Sequence, residues 1–119
     1  MKYLYEIFAI LFFVLIIGCA SMISKKSNTL INDTISIPTA QCNMCVARIE
    51  NTLNEIKGIN KYKVEIKRLE VKVQYDSESI SLQQIEQTLS NLGYQANDQP
   101  ANQDVYNKLP MCCQLPKPK

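Results

Sequence analysis

Two cysteines three residues apart, Cys42 and Cys45, lie in the stretch PTAQCNMCVARIE, where an apolar helical pattern begins. Thiolates are soft metal ligands and strong nucleophiles, so such a pair can bind a metal ion, exchange disulfides or form one. The chain has no histidine. Imidazole bases and imidazole metal ligands are therefore excluded, and any transition-metal chemistry falls to sulfur.

The position of the pair favours its thiolate form. Cys42 is predicted in the loop before a helix and Cys45 in the first turn of that helix. Amides and the dipole at a helix start favour anions, which lowers a thiol pKa below the free value of about 8.5. Two thiolates on one loop make a soft, low-coordination site that favours Cu(I) and also Hg(II), whereas Zn(II) wants two further ligands. Such an open site can pass its ion to a partner that offers another pair of thiols.

Alternating and helical periods around this pair predict a strand, a helix and a hairpin. A short strand begins at Thr34 and stops at Pro38, and a helix that ends near Gly58 follows it. Two strands come next, separated by Arg68 and Leu69 as a hairpin. The helix stripe repeats at spacings of three, four and three: Val46, Ile49, Leu53 and Ile56.

A second helix and a last strand complete the pattern. Ser81 and Gln84 have the spacing of a capping box, and the helix they start closes on Gly93. Its stripe has the same three, four, three spacing: Leu82, Ile85, Leu89 and Leu92. Residues 94–96 supply a fourth strand. The order β-α-β-β-α-β predicts an α+β sandwich over residues 34–97, with two helices on one face of a four-stranded antiparallel sheet.

Length and charge exclude other classes of protein. A chain of 119 residues has room for one domain. Its 13 basic and 11 acidic residues give a net charge of +2, which is too balanced for a nucleic-acid binder. The remaining polar residues suggest solvated faces and caps, so we expect a protein that is not an enzyme.

The N-terminus has the profile of an export signal, with one lysine near the start and an apolar run over residues 7–17. Residues 16–19 resemble the lipobox of bacterial lipoproteins. They predict a signal over residues 1–18, a lipid on Cys19 and a tether over residues 19–33. The protein would then be anchored in the bacterial cell envelope, facing the periplasm or the exterior. The alternative is a single uncleaved transmembrane anchor that extends to about Ile23.

The domain, with its cysteine pair on the first loop and Gly93-Tyr94 after the second helix, resembles the heavy-metal-associated domain family. That resemblance implies a ferredoxin-like fold in which Cys42 and Cys45 bind one soft ion, with Cu(I) favoured and Hg(II) or Zn(II) as alternatives. It implies that Tyr94 lies near the metal loop and shields it. We further expect a domain that is monomeric without metal and that exchanges its ion with a metal-transporting P-type ATPase, an efflux component or a reductase.

The loop departs from the usual family sequence Gly-Met-Thr-Cys. Thr39, Ala40 and Gln41 precede Cys42 here, and Ala40 gives the loop less support than the usual methionine. Met44 lies inside the pair. Its thioether could be a weak third contact for Cu(I), or the residue could be an exposed apolar side chain.

The tail over residues 98–119 predicts one short helix between Pro100 and Leu109, followed by Cys112 and Cys113. If that helix docks on the domain, the two tail cysteines could complete a four-thiolate site with the motif pair. They could equally bind a separate ion or form disulfides. The sequence leaves these possibilities open.

Two rival functions use the same cysteines. A CxxC at a helix start is also the thioredoxin arrangement, although this chain has no tryptophan and lacks a parallel βαβ lead-in. A structural lipoprotein with an incidental disulfide is the other. Metal uptake by the reduced protein would distinguish a metal carrier from both of these rival functions.

Overall fold

A computed structural model describes residues 1–17 and 29–116 of the chain. Five helices and three strands are assigned over these residues. In chain order they are α1 (Lys2–Ile17), β1 (Leu30–Ser36), α2 (Asn43–Glu55), β2 (Ile59–Glu65), β3 (Glu70–Asp76), α3 (Leu82–Asn91), α4 (Gln103–Tyr106) and a 3-10 helix (Met111–Cys113).

The N-terminal apolar run lies within α1, whose side chains are exposed as far as Phe13. Over residues 1–17 and 29–116, no helix combines the length and the hydropathy that a membrane span requires. Cys19, the predicted lipidation site, and most of the predicted tether lie outside the described residues. The lipoprotein signal and the alternative anchor therefore stay predictions.

The sheet has three antiparallel strands in the order β1-β3-β2. The predicted hairpin joins β2 to β3, but β2 ends at Glu65, so four residues rather than two connect the strands. Leu69 takes the left-handed conformation in that turn, with φ +53°. The inward side chains of β3, namely Val71, Val73 and Tyr75, are buried as their alternation predicts.

The first strand begins four residues earlier than predicted. Leu30 pairs with Asp76 and Ser36 with Glu70, so β1 spans the whole length of β3. Residues 30–33, predicted as tether, thus belong to the sheet. Backbone hydrogen bonds to β3 extend the strand over these four residues. Most of their side chains are exposed, so hydrophobic alternation did not predict this part of the strand.

The predicted fourth strand at residues 94–96 is wrong. Within the described part of the chain, this segment makes only an isolated bridge between Ala96 and Gln99. Its backbone groups have other partners, because the Gln95 N–H donates to Thr39 Oγ1 at 3.0 Å. Asn97 turns the chain with φ +51° and exchanges hydrogen bonds with Ser36 at the end of β1. Residues 94–96 thus make one isolated bridge instead of the continuous backbone pairing of a strand. The fold remains α+β with an antiparallel sheet.

Both helix stripes pack into one core. The capping box of Ser81 and Gln84 is present at the start of α3. In α2 the fully buried positions are Cys45, Ile49 and Leu53, whereas Val46 is only half-buried. The stripe therefore runs at spacings of four, and a cysteine occupies the place predicted for valine. This register brings a thiol into the core.

The tail docks on the domain beside Gly93. Its helix α4 is shorter than predicted, and Leu109 beyond it is 5% exposed. Gly93 has φ +101°, and a Cβ there would lie 3.2 Å from Leu109 Cδ1 and 3.3 Å from the Tyr106 nitrogen. Glycine at this position thus allows the left-handed backbone that ends α3, and its missing side chain leaves room for the tail.

We predict that Gly93→Ala destabilises the fold by at least about 1 kcal/mol, because an L side chain is strained at this φ, and that it also displaces the tail. Urea unfolding measures the first effect, and the alkylation rate of native Cys113 measures the second. Gly58→Ala is the matched control, since Gly58 has φ +100° but lies against Ser79 and Ile80. Equal Cys113 reactivity in both variants would contradict this account of tail docking.

Candidate metal centre

The motif cysteines lie at the start of α2, as their spacing predicts. Cys42 is the N-cap residue in an extended conformation, and its carbonyl accepts from the Val46 N–H at 3.2 Å. Cys45 lies one turn further and is fully buried, while Cys42 is half-buried. Their Sγ atoms are 3.5 Å apart, and both are free thiols. The helix start thus presents one accessible and one inaccessible sulfur.

The docked tail brings its two cysteines to the same place. Cys113 Sγ lies 3.8 Å from Cys42 Sγ and 3.9 Å from Cys112 Sγ. All three sulfurs lie within 4.8 Å of one another. Cys113 is fully buried and Cys112 is exposed, and both are free thiols. Of the arrangements left open by the sequence, the structure has the one in which the tail thiols approach the motif pair.

Met44 is exposed, and its thioether also contacts a tail cysteine. Its side chain is 50% exposed, and its thioether accepts a weak hydrogen bond from the Cys112 thiol, with the sulfurs 3.9 Å apart. The soft sulfur therefore faces the tail cysteine at the open side of the cluster.

The thiols differ strongly in acidity. The nearby backbone N–H of Cys45, with smaller contributions from neighbouring thiols, lowers the pKa of Cys42 to about 7 against the effect of burial. Burial, followed by the Cys45 thiol, raises the pKa of Cys113. Contact with Cys42 is the main cause that raises the pKa of Cys112. Of these three thiols, Cys42 at the helix start is therefore the first to lose its proton as the pH rises.

Tyr94 lies beneath the thiols, close to where the resemblance implies. It is fully buried, and its hydroxyl neighbours the sulfurs of Cys45 and Cys113. Burial, followed by these two thiols, raises the pKa of Tyr94. Its Oη makes no hydrogen bond within the described residues. A buried hydroxyl without a partner costs about 1–3 kcal/mol, and a thiolate is a stronger acceptor than a thiol. The phenol thus favours charge on the sulfurs beside it.

Thr39 supports the cysteine loop in a way that the sequence did not reveal. Its Oγ1 accepts from the Gln95 N–H, which ties the loop to the chain after α3. Ala40, predicted to support the loop poorly, is itself buried, and its N–H donates to the Ile37 carbonyl at 3.1 Å. The partner of Thr39 is 56 residues away, so no local pattern could have indicated this contact.

A small α+β domain with a free cysteine pair at a helix start is the arrangement of soft-metal-binding domains. The chain belongs to the heavy-metal-associated domain family, whose sequence profile matches residues 34–95. The family resemblance and the expectation of a protein that is not an enzyme are thereby confirmed. The fold prediction holds for the α+β class and the antiparallel sheet, with three strands in place of four.

Individual relatives agree with this membership. The copper chaperone CopZ of Enterococcus hirae (strain ATCC 9790) is 39% identical over 61 residues, which cover 51% of this chain and 88% of that protein. The solved apo form of the copper chaperone of Enterococcus hirae has a TM-score of 0.51 and 38% identity, covering 54% of this chain and 94% of that one. Oxidized MerP from Ralstonia metallidurans CH34 has a TM-score of 0.55 at 20% identity, covering 57% and 94%. This last likeness shows the shared fold.

We predict that alkylation of Cys42 in the reduced, metal-free chain is half-maximal near pH 7, because its pKa is lowered to about 7. The thiolate is the reactive form, so the rate falls about tenfold per pH unit below that value and levels off above it. Mass spectrometry of peptides after iodoacetamide labelling reads each cysteine separately. Exposed Cys112 is the internal control and should need a higher pH, and a Cys42 midpoint above pH 8.5 would refute the assignment.

Proposed function

We propose that this protein is a Cu(I) carrier that binds its ion through Cys42 and Cys45 and delivers it to, or receives it from, a partner with exposed thiols. The observation that carries the proposal is the pair of free sulfurs 3.5 Å apart at the start of α2, in a chain without histidine. Thiolates without imidazole or carboxylate ligands favour Cu(I) among the available metals. Hg(II) shares this preference for sulfur, and Zn(II) would need a fuller ligand set.

Similarity to the copper chaperone of Enterococcus hirae supports copper over mercury as the cargo. The relation is well above the level at which only a fold is shared, and it covers most of that protein. Cu(I) binding is therefore the first property of the site to measure.

Unequal access to the two motif sulfurs suggests the order of exchange. Cys42 is half-buried and has the lowered pKa, whereas Cys45 is buried in the core. An incoming partner thiolate would form its bond to Cu(I) at the open side, and the bond to Cys42 would break first. Each thiol that binds the ion releases one proton to solvent, and copper stays in the same oxidation state throughout. The scaffold remains rigid because Cys45 is part of the core.

The partner and the location extend this proposal. A metal-transporting P-type ATPase, an efflux component or a reductase could offer the thiols that receive or supply the ion. The apolar N-terminal run and the lipobox-like residues 16–19 support attachment to a bacterial membrane through a lipid on Cys19. The proposal also takes the metal-free domain to be a monomer. Anchoring would keep the carrier within reach of a membrane partner.

We predict that the reduced full chain takes up Cu(I) in an anaerobic competition with a chromophoric chelator, and that Cys42→Ser lowers its affinity by more than about 100-fold. Replacing a residue that only hydrogen-bonds to a metal ligand lowers metal affinity about 10–100-fold, so replacing a ligand itself should lower it further. Met111→Leu is the matched control, because it removes an exposed sulfur beside the tail cysteines. Wild-type affinity in Cys42→Ser would refute the carrier, and disulfide reduction without copper uptake would favour the thioredoxin-like function.

We predict that the protein from a bacterial envelope fraction begins at an acylated Cys19, and that Cys19→Ser abolishes both acylation and cleavage. A lipid-modified cysteine is the product that the lipobox-like residues specify. Mass spectrometry of the N-terminal peptide gives the answer. An intact N-terminus at Met1 in the wild-type protein would favour the uncleaved anchor instead.

A further inference from the structure

We propose that Cys112 and Cys113 form a three-thiolate Cu(I) site with Cys42, so that the docked tail encloses the ion and retains it on the chain. This inference rests on the proposed function, because it assigns additional ligands to the same cargo. It makes the tail a competitor of the partner's thiols. The protein would then hold copper more tightly than a carrier with the motif pair alone.

The sulfur positions fit three ligands better than two. Three thiolates at about 2.3 Å from one metal ion have sulfurs about 4.0 Å apart. The Cys42–Cys113 and Cys112–Cys113 distances are 3.8 Å and 3.9 Å, and the remaining edge of the triangle is at most 4.8 Å. A small movement of exposed Cys112 would therefore close the triangle around an ion.

The motif pair by itself does not fit linear coordination. Two sulfurs on opposite sides of one ion would be about 4.6 Å apart at the same bond length. Cys42 and Cys45 are 3.5 Å apart, and Cys45 is fully buried, so its sulfur has little room to move. An ion on this pair is held at a bent angle of about 100°, which leaves space for a further thiolate from the tail side.

Packing holds the tail turn in place. Leu109 and Cys113 are buried in the same core as Cys45. The Cys113 N–H donates to the Pro110 carbonyl at 2.8 Å, and Gln114 Nε2 donates to the Leu109 carbonyl at 2.8 Å. These contacts fix residues 109–114 as a turn against the domain. The tail thiols are thus presented to Cys42 before any ion arrives, which lowers the cost of ordering them.

The composition of the cluster favours Cu(I). The proposed ligands are all thiols, and Met44 adds a thioether on the exposed side beside Cys112. Adjacent cysteines rarely bridge each other, because the short ring strains the peptide between them. Both sulfurs of the pair therefore stay available as ligands in the reduced protein.

Cys42 belongs to both groups of sulfurs, which gives the ion a path between them. With the Cys42 bond kept, a tail thiol can give up its proton and bind the ion as the bond to Cys45 breaks, and the released Cys45 sulfur takes up a proton, so copper stays Cu(I). A partner must displace the two tail thiolates as well as Cys42 before it can take the ion. We therefore expect slower release of copper from the complete chain than from a tail variant.

X-ray absorption of the reduced full chain loaded with one Cu(I) tests this site directly by counting sulfur ligands. We expect three sulfurs in the wild-type protein and in Met111→Leu, but two in Cys112→Ser. We also expect at least about tenfold weaker Cu(I) binding in Cys112→Ser, because one of the three ligands is lost while the other thiols still bind the ion. Cys112 is exposed, so its replacement leaves the core intact. Cys113→Ala gives a second variant that places no hydroxyl in the core.

The outcomes separate this inference from the proposed function. Two sulfurs in the wild-type protein, with unchanged affinity in both tail variants, would overturn the three-thiolate site and leave the carrier intact. Preferential binding of Zn(II) by four sulfurs would also overturn it. Absence of Cu(I) uptake by the wild-type chain would overturn the carrier itself, and the tail site with it.

Discussion

Cys45, Tyr94 and Cys113 are fully buried in one apolar core, and this shared burial fixes the geometry of the candidate metal centre. The first belongs to α2, the second follows α3, and the third belongs to the tail. Packing of three distant segments therefore holds two sulfurs and a phenol in place, while Cys42 and Cys112 stay accessible. Because core side chains are close-packed, the buried sulfurs have little freedom to adapt to an ion, and the accessible ones must do so.

The difference in access is matched by a difference in charge. The helix start stabilises a thiolate at Cys42, whereas burial keeps Cys113 protonated to higher pH. In the proposed site, an ion approaching from solvent would meet an accessible thiolate first and would displace protons from the deeper thiols only afterwards. Tyr94 lies beneath them with a hydroxyl that gains a better acceptor as those protons leave. The proposed site would thus combine entry of the ion at the surface with retention by the buried thiols.

Membership of the heavy-metal-associated domain family accounts for residues 34–95 but leaves the tail unexplained. A carrier that only exchanges its ion needs an open pair of thiols. The tail of this chain instead places two further sulfurs beside that pair, with Gly93 allowing the close approach. The balance between delivery and retention would then depend on how firmly the tail docks, and the contacts of Leu109 and Gln114 set that strength.

The sequence by itself determined the elements whose signals are local. The spacing of Cys42 and Cys45 at a helix start, the capping box of α3 and the alternation of β3 all depend on neighbours within a few residues. They were predicted from those neighbours. Only the tertiary structure decided how far β1 pairs, why residues 94–96 form no strand and which thiols meet. Those outcomes depend on contacts between distant segments, such as Thr39 with Gln95 and Cys42 with Cys113, for which a single sequence carries no periodic signal.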